Sequence, residues 1–124
     1  MSLSKGSAPV DFILVSVPLI MLTLSVLGVA INGYAKNIAQ DVAVEAARYS
    51  ALADQDIVGG QARAWSAIKA ELGSVFKPEI TGSADTSNGV CSNSIKITLK
   101  PIGLGLLSSN FKITESGTAV CELQ

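Results

Sequence analysis

With 124 residues, a formal net charge of −1 and no histidine, the chain has room for one domain and lacks the commonest general base and transition-metal ligand near neutral pH. Its nine Lys and Arg residues are scattered between Lys5 and Lys112 without a cluster, so it carries no electrostatic footprint for nucleic acid. No cofactor or metal is expected.

The first organising feature is an uncharged run of twenty residues, 12–31, broken only by Ser16, Pro18, Thr23, Ser25 and Gly28 among aliphatics. As a helix it would reach about 30 Å, the thickness of a bilayer core. The short polar leader ahead of it holds Lys5, and by the positive-inside rule this predicts an N-terminus in the cytoplasm and a C-terminal part outside. Cys91 and Cys121 would then face an oxidising compartment, where a disulfide persists; the alternative for each is a buried free thiol. A cleavable signal is the competing reading, since Gly33-Tyr34-Ala35 resembles a small-x-small cleavage site. Against it stand the length of the apolar run and the acid, Asp11, at its mouth.

Helical character continues past that point. Residues 34–52, YAKNIAQDVAVEAARYSAL, are rich in alanine and free of Gly and Pro. Ile38, Val42, Tyr49 and Leu52 fall near one face with Ala35, Ala39 and Ala46 adjoining, and the spacing from Asp41 to Glu45 to Arg48 brings charges together on the other. A single helix over 8–53 would be about 69 Å long, with about half of it beyond the membrane.

Two stretches now carry a resemblance. Gly6-Ser7-Ala8-Pro9-Val10-Asp11-Phe12 and Ala43-Val44-Glu45-Ala46-Ala47-Arg48-Tyr49-Ser50-Ala51-Leu52 resemble the TadE-like pseudopilins of the tight-adherence (Flp) pilus, within the type IV pilin superfamily; Thr118-Ala119-Val120-Cys121-Glu122-Leu123 adds a weaker likeness. The resemblance implies a prepilin peptidase cut after Gly6, a new N-terminus at Ser7 and an acid at the fifth mature position, Asp11, followed by Phe12. Here the acid is Asp where pilins carry Glu, and Pro9 lies inside the recognition stretch. It further implies partners: other pilin or pseudopilin subunits through the N-terminal helix, the peptidase, an inner-membrane assembly platform and membrane lipid. A carboxylate at the edge of hydrocarbon is costly unless neutralised or paired, and the Ser7 amine of a neighbour would pair it. Alternatively Asp11 sits in headgroup water and favours the helix dipole. Pro18 reads either as a kink or as a proline tolerated by a membrane helix.

Beyond the shaft, residues 54–60 read as a polar, glycine-rich connection. A second helix is expected over 61–72, its stripe formed by Trp65, Ile68 and Leu72 with Val75 or Phe76, and its end marked by Gly73 and Pro78. Trp65 reads as a core anchor against the alanine face, with the lipid interface as its alternative. Residues 79–81 suggest a short strand followed by a surface loop to residue 94. Ile95, Ile97 and Leu99 then alternate with Lys96, Thr98 and Lys100; residues 111–114 repeat the alternation, and Ser116-Gly117 reads as a turn into a last strand over 119–123. Residues 102–107 are apolar and glycine-broken, closing the core if buried and offering a contact patch if exposed.

The expected fold class is α+β and pilin-like: a leader over 1–6, a long helix over 7–53 spanning the membrane at about 12–31, and a small domain over 54–124 with a short helix and an antiparallel sheet of about three strands. The expected function is non-enzymatic: a TadE-like subunit or assembly factor of a tight-adherence pilus, anchored in the cytoplasmic membrane before assembly. The alternative is a small disulfide-tied extracytoplasmic binding domain, on a signal anchor or released after Ala35. Catalysis has little support, because Asp54, Asp56 and Asp85 lie in polar connections and no phosphate-binding glycine loop with lysine is present.

Overall fold

The computed structural model describes residues 7–52, 56–103 and 112–121. Gly6 and the leader, Asp54, residues 104–107, Phe111 and the last three residues lie outside them. One helix dominates: α1 runs Ser7–Ser50 without interruption through Pro18 and Gly33, about 66 Å at 1.5 Å per residue. A second helix, α2 (Ile57–Leu72), folds back on it, followed by β1 (Glu79–Ser87), β2 (Val90–Leu99) and β3 (Ile113–Val120). The strands form one antiparallel sheet in the order β1-β2-β3. Both helices cover the same face, α1 over β2 and β3, and α2 mainly over β1. The arrangement is α+β.

The core face of α1 consists of Ala35, Ala39, Val42, Ala43, Ala46, Ala47 and Ser50, a stripe at three- and four-residue spacing. Alanine has no reach, so a partner contacts this stripe only by approaching its backbone. β3 does so at Gly117, where an added Cβ would stand 2.5 Å from the backbone of Ala43 and Val44. α2 does so at Gly60, where the same atom would stand 2.6 Å from Ser50 Cβ and 2.9 Å from the Ala46 carbonyl. Between these seams the volume is filled by Ile68 of α2 and by Ile95, Ile97 and Leu99 of β2, all fully buried. Each contributes about 1.5–3 kcal/mol by leaving water.

The ends of this unit are tied by two asparagines. At the top, buried Asn93 donates from Nδ2 to the Ser50 carbonyl at 2.8 Å, satisfying an acceptor that the end of α1 leaves open. At the bottom, the Asn32 amide holds both backbone groups of Ile102, Nδ2 donating to its carbonyl and Oδ1 accepting its N–H, each at 2.9 Å. Cys91 and Cys121 are joined in a disulfide, Cα to Cα 5.3 Å, at the level of the Asn93 tie.

Four expectations are corrected. Gly59 and Gly60 are not connection but the first turn of α2, capped by Asp56, whose carboxylate accepts the Gly59 N–H at 2.7 Å. Trp65 is not a core anchor: it is 46% exposed, because the buried face of α2 runs through Gly60, Ala64 and Ile68, about 100° away. Residues 82–94 are not a surface loop, since β1 and β2 pair throughout and turn at Asn88-Gly89, with φ of 56° and 78°, as two-residue hairpins require. Ser116-Gly117 is not a turn but the middle of β3, where the missing side chain admits α1. Of the four large residues expected on the core face, Val42 is buried, Ile38 and Tyr49 are half-buried, and Leu52, just past the end of α1, is 42% exposed.

These contacts give two expected outcomes for the full chain in detergent, read by urea unfolding through near-ultraviolet circular dichroism. Gly117→Ala should lose about 2–3 kcal/mol by overpacking a backbone seam, whereas Gly33→Ala, with open space around it, should match the wild type or gain up to about 1 kcal/mol of helix propensity. Equal midpoints for the two variants would refute the seam. Cys121→Ser should lose about 3–4 kcal/mol, the chain-entropy value for a loop of thirty residues, and intact mass before and after reduction in denaturant checks the bond.

Candidate functional site: the N-terminal shaft

Over most of its length the lower half of α1 meets nothing else among the described residues. Phe12 is 73% exposed, and Val10, Ile13, Leu14, Val15, Leu19 and Leu22 are all more than half exposed. An 18-residue window of α1 has a mean hydropathy of 2.5 and is only 6% buried, the reverse of a core helix in a water-soluble protein. This is one long apolar N-terminal helix compatible with a single-pass membrane anchor.

Its polar side chains suit that medium. Ser16 donates to the Phe12 carbonyl at 2.6 Å, Thr23 to Leu19 at 2.9 Å and Ser25 to Met21 at 2.8 Å, so each hydroxyl is satisfied within the helix. Pro18 has no N–H to give the Leu14 carbonyl, yet the helix continues through it. Asp11 is exposed and is the only charged residue over 7–35. It stands in the second turn, past the first-turn N–H groups where an acid interacts best with the helix dipole.

The transition to the folded half is abrupt. Ile31 and Asn32 are half-buried, Tyr34 is 56% exposed, and Ala35 is fully buried. Above it, Lys36 reaches Glu115 of β3 at 3.8 Å. Glu45 does not bridge to Arg48 along α1, as its spacing suggested; its Oε1 accepts from Arg63 of α2, Nη2 at 2.7 Å and Nε at 3.1 Å. The same guanidinium lies 4.9 Å from the Tyr49 ring centroid. These exposed contacts set how α2 lies on α1 and add about 1 kcal/mol or less each.

The candidate residues named from sequence therefore do not converge. Ser7 opens α1, Asp11 and Phe12 project from its second turn, and the Cys91–Cys121 bridge sits at the far end beside Ser50. The residue the sequence reading passed over is Asn32. Its only local signal is an amide directly after a long apolar run, and its partner is seventy residues away.

No curated protein and no solved structure matches the chain. The family model described as TadE-like protein matches residues 6–48, from the glycine before α1 to its last turn. Over this shaft, about a third of its length, the chain is similar to the TadE-like family.

Proposed function

We propose that the protein is a non-enzymatic subunit or assembly factor of a tight-adherence pilus, held in the cytoplasmic membrane by the lower half of α1 until that half packs among other shafts. The observation that carries this reading is a helix with two different surfaces. Most residues below Ile31 are exposed and apolar, and residues from Ala35 upward form the core of a folded domain. The same exposed surface serves lipid first and neighbouring subunits later, since helices in a bilayer associate through shape and small residues rather than through hydrophobicity. Thr23, Val26 and Ala30 lie in a shallow groove flanked by Leu22 and Leu27, a relief into which a ridge of a second shaft fits.

In this reading a prepilin peptidase removes the six-residue leader after Gly6, and Ser7 becomes the N-terminus. Asp11 then has a reason to stand in the shaft: its carboxylate pairs with the Ser7 amine of an adjacent subunit during docking on the inner-membrane platform. The competing reading, a domain released after Ala35, is disfavoured by the burial of Ala35 in the core and by the engagement of Asn32 with Ile102. Release there would cut a continuous helix and take the Asn32 tie with it.

Co-expression with the cognate peptidase in membranes tests this by intact mass. The expected product begins at Ser7, and Asp11→Ala should remain membrane-bound while disappearing from the sheared pilus fraction. Persistence of the leader would remove processing from the proposal, and a soluble product beginning at Lys36 would replace it with the released binding domain.

A further inference from the structure

The lysines scattered in the sequence are gathered by the sheet. β2 runs back along α1: Asn93 is tied to Ser50 and, nine residues later, Ile102 is tied to Asn32. Nine strand steps cover about 30 Å and the matching eighteen helical residues about 27 Å, so strand and helix descend together. The lower edge of the sheet therefore lies just above residue 31, where the uncharged run ends.

Every strand carries a lysine at that edge. Lys77 stands two residues before β1, Lys100 directly follows β2 and Lys112 directly precedes β3. Leu99 pairs with Ile113, and the Lys100 N–H donates to the Phe76 carbonyl at 2.8 Å, which sets the three side by side. All three are exposed, and none has an ion pair among the described residues. Nearby acids do not neutralise them: Glu115 is engaged by Lys36, Glu79 stands higher at the level of Thr98, and Glu71 shares the end of α2 with Lys69. Val75, 67% exposed, directly precedes Phe76 at this edge, and Tyr34, 56% exposed, stands on α1 two residues above Asn32, giving an apolar surface and an amphipathic ring suited to a headgroup layer. The opposite end carries Asp56 and Asp85 together with a single exposed cation among the described residues, Arg48, beside Ala119 and Val120.

We propose that this edge is a membrane-docking surface, with Lys77, Lys100 and Lys112 resting on anionic phospholipid headgroups so that the domain is seated on the bilayer that holds its shaft. The inference rests on the anchoring part of the proposed function and is independent of the pilus role. Lys100 is two strand steps above Ile102, about 7 Å, and the headgroup layer is about 5–8 Å deep, within reach of a lysine stem. Each lysine near an anionic surface multiplies the seated population about fivefold, so three together supply about a hundredfold.

The test uses the oxidised full chain with Ser74→Cys, an exposed position beside the edge, spin-labelled and reconstituted in vesicles of phosphatidylcholine alone or with added phosphatidylglycerol. The label should be shielded from a water-soluble relaxing agent only in the anionic vesicles. Replacing all three residues (Lys77→Gln, Lys100→Gln, Lys112→Gln) should return it to the phosphatidylcholine value, as should salt near 1 M, where the screening length falls to about 3 Å. Equal shielding in both lipids, or shielding that survives the triple substitution, would overturn the docking surface while leaving the anchor intact. Release of the chain by carbonate would overturn the anchor, and the docking surface with it.

Discussion

The contact on which the structure depends is backbone on backbone: β3 at Gly117 lying against α1 at Ala43 and Val44. An alanine stripe buries little area per residue, so α1 cannot hold a domain at ordinary side-chain distance. Removing the side chain from the facing strand brings the sheet close enough for Ile95, Ile97 and Leu99 to fill the space beside the helix, and Gly60 does the same for α2. With these approaches made, the remaining ties are end fixtures. Asn93 satisfies the top of α1, Asn32 grips Ile102 at the bottom, and the disulfide closes the side farthest from the apolar half.

What could be read from sequence followed from local period. The unbroken helix was legible because its composition changes without any residue that breaks it, and β2 because Ile95, Ile97 and Leu99 alternate with polar neighbours. The hairpin at Asn88-Gly89 carried a usable signal that the surrounding Ser, Thr and Asp concealed. Gly117 and Trp65 went astray for a different reason. A glycine between polar residues has the same appearance in a turn and at a seam, and only the position of α1 distinguishes them. Trp65 shares the apolar stripe of Ile68 and Leu72, whereas a helix facing alanine buries its own small residues, Gly60 and Ala64, at the closest approach.

The candidate site was legible in its parts but not in its arrangement. Asp11, Ser7 and the apolar span are consecutive, so their relation was visible in the chain, and the TadE-like match covers this same stretch. The end of the apolar run at residue 31 was visible, but the tie that fixes the domain there was not, because Asn32 and Ile102 are seventy residues apart. The charge pattern behaves likewise: lysines that form no cluster along the chain become neighbours once three strands are set in register.

Within the span, the distribution of satisfied and unsatisfied groups narrows what association can use. Ser16, Thr23 and Ser25 spend their hydroxyl protons on their own helix, so in the proposed assembly shaft contacts over that stretch would depend chiefly on shape. Asp11 differs from them, being the one charge over 7–35 and exposed. A surface governed by shape alone tolerates many registers at similar energy, since sliding one apolar helix along another exchanges like contacts. A single carboxylate that must find a cation penalises every register except those that supply one. In the proposed assembly, the lower half of α1 would thus combine a permissive apolar surface with one exacting position, Asp11, as the proposed passage from lipid to a fixed place among neighbouring shafts requires.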